Sequence, residues 1–352
     1  QCSGKTVNCS SKANMYESKI VTNLDPGNND LGGWNATGGI NFALAFAFID
    51  GPLPSGIIVV TSNTDQVIYY KAPAKFLGDK RKAYQHRLSF YLRKEDTGDS
   101  LNTDQGDVVL KGKWFPENLV HKFSKVPGDD FSEFSVLLAE EDWKVGDTNG
   151  RNVSSYEMVM VLSELEALWI RAKWSNGTAA TTGIGKITMY ISKEYLNSSQ
   201  IPSGARMTQS VELCDCPREF TGDSCEQCAG GYTRLVPNSG PYSNNSTCVL
   251  CNCHGNSDRC DPETGVCIGC KHNTTGNHCE RCATGYYGNA TLGSAHACKP
   301  CSCFGGHTSC ELTSDGSFFC HCGDGYEGDR CQACALGFYG IPTEVNGRCS
   351  RC

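Results

Sequence analysis

Cys-x-Cys and Cys-x-x-Cys pairs recur between Cys214 and Cys352, with His254, His272, His278, His307 and His321 among them. Thiolates and imidazoles are the donors of structural zinc, which joins a cysteine pair to a second ligand pair at a set spacing. The alternative chemistry is oxidation of the thiols to disulfides. One cysteine register runs unbroken through all these pairs and lies among Asn-x-Ser/Thr sequons, so the reading is disulfides and no metal. Gly183-Ile-Gly185-Lys186 lacks the first glycine and the hydroxyl residue after lysine that a phosphate loop needs, and reads as a turn before a strand. Glu140-Glu-Asp142 and Asp129-Asp130 offer paired carboxylates without EF-hand spacing. They read as surface acids; calcium is the one cofactor left open, and none is required. Trp34, Trp114 and Trp143 are candidates for a sugar platform, against packing as the default. No nucleophile, metal or carboxylate constellation of an enzyme emerges.

The elements that carry these residues are of two kinds. Of 24 cysteines in 352 residues, 22 lie from Cys214 onward and only Cys2 and Cys9 precede it. The cysteine-dense part is too rich in Gly, Cys and polar residues to bury one large core, so covalent staples must replace it. Such density belongs to oxidising compartments, which points to a secreted protein. Nine sequons agree, at Asn8, Asn35, Asn152, Asn176, Asn197, Asn244, Asn245, Asn273 and Asn289. No run of about 18 apolar residues and no signal-peptide pattern occurs, so the chain reads as an internal piece without direct membrane insertion. A net charge of -7 without a long basic block argues against nucleic acid as a partner.

The cysteine spacings repeat. Cys251, Cys253, Cys260, Cys267, Cys270, Cys279, Cys282 and Cys298 form one set of eight, and Cys301, Cys303, Cys310, Cys320, Cys322, Cys331, Cys334 and Cys349 the next, with a period of about 50 residues. Gly285-Tyr286-Tyr287-Gly288 matches Gly337-Phe338-Tyr339-Gly340 in the same register. Cys214, Cys216, Cys225, Cys228 and Cys248 fit the last five positions of a set. Cys2 and Cys9 supply two of the three missing, because their six-residue gap equals that between Cys253 and Cys260. The third falls one residue before Gln1, and a module is thus split by roughly 200 inserted residues.

These spacings resemble laminin-type EGF-like modules, as do the strings Cys251-Asn-Cys-His-Gly-Asn-Ser, Cys260-Asp-Pro-Glu-Thr-Gly-Val-Cys267 and His272-Asn-Thr-Thr-Gly-Asn-His-Cys279-Glu-Arg-Cys282. Spacing alone allows 105 pairings for eight cysteines. The resemblance implies Cys251–Cys260, Cys253–Cys267, Cys270–Cys279, Cys282–Cys298, Cys301–Cys310, Cys303–Cys320, Cys322–Cys331 and Cys334–Cys349. For the split module it implies Cys2–Cys214, Cys216–Cys225 and Cys228–Cys248, with Cys9 unpaired for want of the first cysteine and Cys352 opening a further module. A local Cys2–Cys9 bridge is the alternative.

Residues 10 to 213 follow strand grammar. Phe42–Ile49, Ile57–Val60, Val67–Tyr70, Leu88–Leu92, Asp107–Leu110, Phe134–Leu138, Leu168–Ala172 and Lys186–Ile191 are short apolar or alternating runs between Gly, Pro, Asn and Asp. One helix is expected over Ser155–Leu165, capped by Ser154 or Ser155, with Val159, Leu162 and Leu165 on one face. Ser175-Asn176-Gly177-Thr178 signals a turn. A mostly β fold follows, a jelly-roll-like antiparallel β-sandwich. The segment resembles the laminin IV type A domain at Tyr70-Lys-Ala-Pro-Ala-Lys-Phe-Leu-Gly-Asp79, Leu88–Leu92 and Asp107-Val-Val-Leu-Lys-Gly112. The resulting division is 1–9 and 214–250 for the halves of the split module, 10–213 for the sandwich, 251–300 and 301–351 for two whole modules, and 352 for the start of another.

The resemblance implies a structural glycoprotein segment of the basement membrane, a stiff short arm that spaces and presents interaction domains. Its partners would be other matrix proteins and, if laminin, the remaining chains of a multi-chain assembly. Gly240-Pro-Tyr-Ser243 and Asp261-Pro-Glu-Thr-Gly-Val266 favour a laminin γ-like arm over the laminin-like region of perlecan. The nidogen-binding motif of such arms, Asn-Ile-Asp-Pro-Asn-Ala-Val, is absent from Asn256–Arg259 and Gly305–Thr308. A glycan- or matrix-protein-binding role for the sandwich is the second reading, a signalling ectodomain the third.

Overall fold

The computed structural model describes residues 8–22, 31–37, 42–47, 57–62, 66–95, 101, 103–175, 180–242, 246–305, 307–313 and 318–352. Cys2, Asn244, Asn245 and, of the expected turn Ser175–Thr178, residues 176–178 lie outside them.

Among the described residues, fourteen strands reach to Cys214: β1 (Cys9–Ser11), β2 (Met15–Val21), β3 (Asn35–Thr37), β4 (Phe42–Ala47), β5 (Ile57–Ser62), β6 (Tyr69–Lys71), β7 (Arg87–Glu95), β8 (Val108–Gly112), β9 (Leu119–His121), β10 (Ser132–Leu137), β11 (Trp143–Val145), β12 (Leu165–Arg171), β13 (Ala180–Glu194) and β14 (Glu212–Cys214). Twelve of them form two six-stranded antiparallel sheets. One runs β10-β7-β13-β5-β4 with β2 also on β13, and the other β11-β9-β8-β12-β6-β3. Along β13, β5 occupies one edge over Ala180–Gly185 and β2 continues that edge over Thr188–Glu194.

Alternation decides which side chains meet between the sheets. Leu88, Phe90 and Leu92 of β7, Val136 of β10 and Ile184 of β13 face Val108 and Leu110 of β8, Leu168 and Ile170 of β12 and Tyr70 of β6, all buried in one cluster. Tyr70 is placed there without an orphaned hydroxyl, because its Oη donates to Thr182 O at 2.7 Å. A buried ion pair closes one end: Arg171 Nη1 meets Asp107 Oδ1 at 3.1 Å, and Asp107 also accepts from Trp174 Nε1 at 3.3 Å and the Phe123 amide at 2.8 Å. Charges in such a place are tolerated because both oxygens of the carboxylate accept hydrogen bonds, one of them from the guanidinium itself.

The helix differs in extent from the expected one. It covers Ser155–Ser163, with Ser154 as N-cap in a capping box with Glu157. Arg151, ahead of the Ser154 contacts, draws the Glu157 carboxyl down to about 2. Met158, Val161 and Leu162 face the core, Val159 only partly, and Leu165 begins β12 instead of ending the helix. Gly183–Lys186 is also corrected. It lies inside β13, where Gly183–Gly185 pair with β5 on one side and β7 on the other, and a register irregularity with Lys186 at a φ of 47° follows Gly185 in place of a turn.

From Cys216 onward regular structure shrinks to two-stranded ribbons, such as Tyr232–Arg234 with Cys248–Leu250 and Tyr286–Gly288 with Cys298–Pro300. The chain divides into two compact units. One holds the sandwich to Asp215 together with Asp223–Glu226 and Pro241–Ser243, and the other holds the remainder to Cys352. No described helix is long and apolar enough to cross a membrane.

Candidate functional site: the closure of the insert and the module joints

A domain inserted into a disulfide module must leave close to where it entered. Here the two ends run antiparallel: Asp215 N–H donates to Asn8 O, Cys9 faces Cys214, Ser10 faces Leu213, and Ser11 faces Glu212. The zipper continues inward through Lys12 N–H to Val211 O at 2.8 Å, Thr208 N–H to Met15 O at 2.8 Å and Glu17 N–H to Arg206 O at 2.7 Å. Cys9 is bonded to Cys214, with Cα atoms 4.0 Å apart. Cys9, expected without a partner, thus has one in Cys214, and the expected Cys2–Cys214 bridge involves Cys2, which lies outside the described residues. Strand pairing sets Cys9 directly across from Cys214.

Charged groups flank the zipper in pairs. Lys12 Nζ lies 3.1 Å from Glu194 Oε2 on β13 and 3.0 Å from Asp223 Oδ2. Burial alone would lower its pKa, but the two carboxylates outweigh it and raise it. Arg81 Nη1 meets the buried Glu226 at 2.6 Å and Tyr242 Oη at 3.2 Å, while Asp79 grips its other edge at 2.6 Å and 3.0 Å. Burial opposes the guanidinium charge, yet Asp79 and Glu226 raise its pKa. Burial pushes the Tyr242 hydroxyl up to about 12. A hydroxyl cluster around the buried Ser192 holds the segment leading into the exit strand: Ser192 Oγ lies 2.8 Å from His86 Nε2, 2.7 Å from Thr208 Oγ1 and 3.0 Å from Ser210 Oγ. Burial lowers the His86 pKa against the pull of Glu17. A cleft of about 350 Å³ beside the closure is lined by Arg81, Tyr84, Val211, Asp223 and Tyr242 among others. The paired charges around it bind the chain to itself, so the site acts as a clamp.

The module joints repeat a second device. The first cysteine of each following set donates its N–H to a glycine carbonyl of the preceding one: Cys251 to Gly231 at 2.9 Å, Cys301 to Gly285 at 2.8 Å and Cys352 to Gly337 at 3.0 Å. Two intervening residues and one hydrogen bond leave little slack there. Within the C-x-x-C turns, the side chains of Glu226, Glu280 and Gln332 accept from the amides of Ser224, His278 and Arg330 at 2.8–2.9 Å.

The disulfides present include Cys228–Cys248, Cys251–Cys260, Cys253–Cys267, Cys270–Cys279 and Cys282–Cys298. Cys301–Cys310, Cys303–Cys320, Cys322–Cys331 and Cys334–Cys349 complete the last set. Cys216 and Cys225 are each disulfide-bonded, and Cys352 is an exposed thiol. The groups of potential metal ligands among the described residues, Cys301 with Cys303 and Cys310 and Cys9 with Glu212 and Cys214, are built on oxidised sulfur. His254 and His272 turn their Nδ1 atoms to His278 O and Asn256 Oδ1, each at 3.1 Å, and His321 Nε2 lies 3.5 Å from Glu311 Oε1. Glu140 accepts from Tyr84 Oη at 2.7 Å, and Asp129 and Asp130 are exposed.

The three tryptophans do not form a platform. Trp34 and Trp143 are 3% and 1% exposed, packed in the core, and Trp114 is partly exposed under the Lys113 ammonium. Asn8, Asn35, Asn152, Asn197, Asn273 and Asn289 are all exposed. The sequence reading missed Lys12, Arg81, Asp223, Glu226 and Tyr242. Only Glu226 left a signal, the Glu, Glu or Gln repeated at 226, 280 and 332 directly after a cysteine.

Residues 69–204 match the Laminin B (Domain IV) family, and residues 204–248, 251–298 and 301–352 match the Laminin EGF domain. The chain is 35% identical over 301 residues to human laminin subunit gamma-1, covering 84% of this chain and 17% of that protein. It is 33% identical over 297 residues to mouse laminin subunit alpha-1, covering 81% and 10%. It is also 33% identical over 364 residues to the mouse basement membrane-specific heparan sulfate proteoglycan core protein, covering 99% and 9%. The chain thus spans between 9% and 17% of the length of these relatives.

Proposed function

The chain belongs to the laminin domain IV and laminin EGF domain families, as a segment of a modular extracellular-matrix, basement-membrane protein, and from that premise we propose that it is a spacing arm that carries a closed insert. The EGF-like modules set distance; the sandwich is accommodated without interrupting them. Residues 1–9 and 214–250 are the halves of one module, and 10–213 is the insert. The single observation that supports this most is the antiparallel closure from Asn8–Asp215 inward to Glu17–Arg206, sealed by Cys9–Cys214. A chain that returns to its point of entry leaves the module geometry intact, because a disulfide needs its Cα atoms within about 7 Å. The setting favoured by Gly240–Ser243 and Asp261–Val266 is a laminin γ-like arm, assembled with further chains.

Replacing residues 12–211 by an Asn-Gly turn tests the proposal, since such a turn joins antiparallel strands in two residues. The expected product is secreted and unchanged in the disulfides from Cys228 to Cys349. Small-angle scattering should give the modules the same length as in the full chain. Scrambled disulfides or a collapsed length would show that the sandwich is a structural link of the arm rather than an insert.

A further inference from the structure

One cation is sealed at the joint between the module that ends at Cys248 and the module that opens at Cys251. The Arg234 side chain is 1% exposed. Its Nε reaches Glu263 Oε1 of the following module at 3.2 Å, and its Nη1 donates to Ser246 O of its own module at 3.0 Å. Its backbone N–H donates to Pro262 O at 2.9 Å. Two further bonds cross beside it, from Thr233 Oγ1 to Pro262 O at 3.3 Å and from Asn238 N–H to Glu263 O at 3.0 Å. A guanidinium taken out of water must find its partners in the protein, and its planar fork fixes their direction. Here they come from both modules, so the arginine cannot be satisfied unless the two are held at one angle.

The internal repeat sets this residue apart. Gly231-Tyr-Thr-Arg234 aligns with Gly285-Tyr-Tyr-Gly288 and Gly337-Phe-Tyr-Gly340. The two later positions admit only glycine: their φ angles are 133° and 139°, and an added Cβ would lie 2.0 Å from Ala297 O and 2.1 Å from Arg348 O. Only the first tetrad accommodates a side chain, and that side chain is the one that reaches across its joint.

We propose that Arg234 is a positioning residue that locks the first module joint through Glu263, giving the arm a fixed angle at that point. This rests on the spacing-arm reading and names the residue that executes it. The test is amide exchange in the full-length oxidised chain, comparing the Asn238 N–H, which crosses the joint, with the Ala283 N–H, which bonds within its module to Asn273 O. In Arg234→Gln and in Glu263→Gln, Asn238 should exchange at least about ten-fold faster, with Ala283 unchanged. Should Arg234→Gln misoxidise, the isosteric Glu263→Gln decides the matter alone. Unchanged Asn238 exchange in the oxidised variants would overturn the proposal. Scattering of the parent chain reports separately on the arm: a flexible parent with a responsive Asn238 would sink the spacing reading and leave the lock standing.

Discussion

Buried side chains from both sheets, among them Phe90, Leu110, Leu168 and Ile184, make up the core of the sandwich, whereas the buried cluster of the module spanning 251–300 consists of Cys253, Cys260, Cys267 and Cys279. Two solutions to the same entropy problem thus sit in one chain. The first removes apolar surface from water. The second lacks that surface and instead restricts the unfolded chain with short loops of 9, 14, 9 and 16 residues' separation, each worth about 2.5–3 kcal/mol in the chain-entropy model. The difference teaches that the halves must answer to different perturbations. It also fits the module joints, which are held by backbone hydrogen bonds and a few sealed side chains.

The largest effect expected is reduction. Mild reductant should abolish amide protection from Cys251 to Cys349 while the strands around Phe90 and Ile184 stay protected, as read by hydrogen exchange. Simultaneous loss in both halves would break the comparison. Next is Asp107→Ala, which strands the Arg171 charge in the core and should cost about 3–5 kcal/mol of sandwich stability. Denaturant melting should register it there and leave the modules unaffected. Gly288→Ala is the reciprocal change. Its Cβ would meet Ala297 O at 2.0 Å, and strain of about 1–3 kcal/mol should appear as slower or incorrect closure of Cys282–Cys298 in oxidative refolding. The sandwich should melt as before.

The smallest effect expected is pH-dependent. Burial lowers the His86 pKa in the fold, so the unfolded chain takes up its proton first on acidification. Sandwich stability present above about pH 6.5 is therefore lost as the pH falls through the folded value. His86→Gln should flatten that slope, and an unaltered slope would remove His86 from the account of the exit strand.

Much of this was legible from residue types. Cysteine spacing is a covalent ruler, and alternation in Leu88–Leu92 and Asp107–Leu110 marks strands that a core must cover. Three-residue strands such as Asn35–Thr37, Leu119–His121 and Trp143–Val145 are too short to show a period. Trp34 and Trp143 offered themselves as a sugar platform because an aromatic residue does not announce which face of a sheet it takes. The gap ruler assigns Cys2, and not Cys9, to Cys214, whereas the strand register sets Cys9 across from Cys214. That register is flanked by Lys12, Asp223 and Glu194, which meet only in space.

The closure itself is the central claim, and its direct measurement is the disulfide map of the unreduced, deglycosylated chain. Trypsin separates Cys2 from Cys9 after Lys5, and cleavage before Asp215 separates Cys214 from Cys216. A peptide joining Thr6–Lys12 to the segment ending at Cys214 is predicted. A bridge from Cys2 to Cys214, or from Cys2 to Cys9, would contradict it.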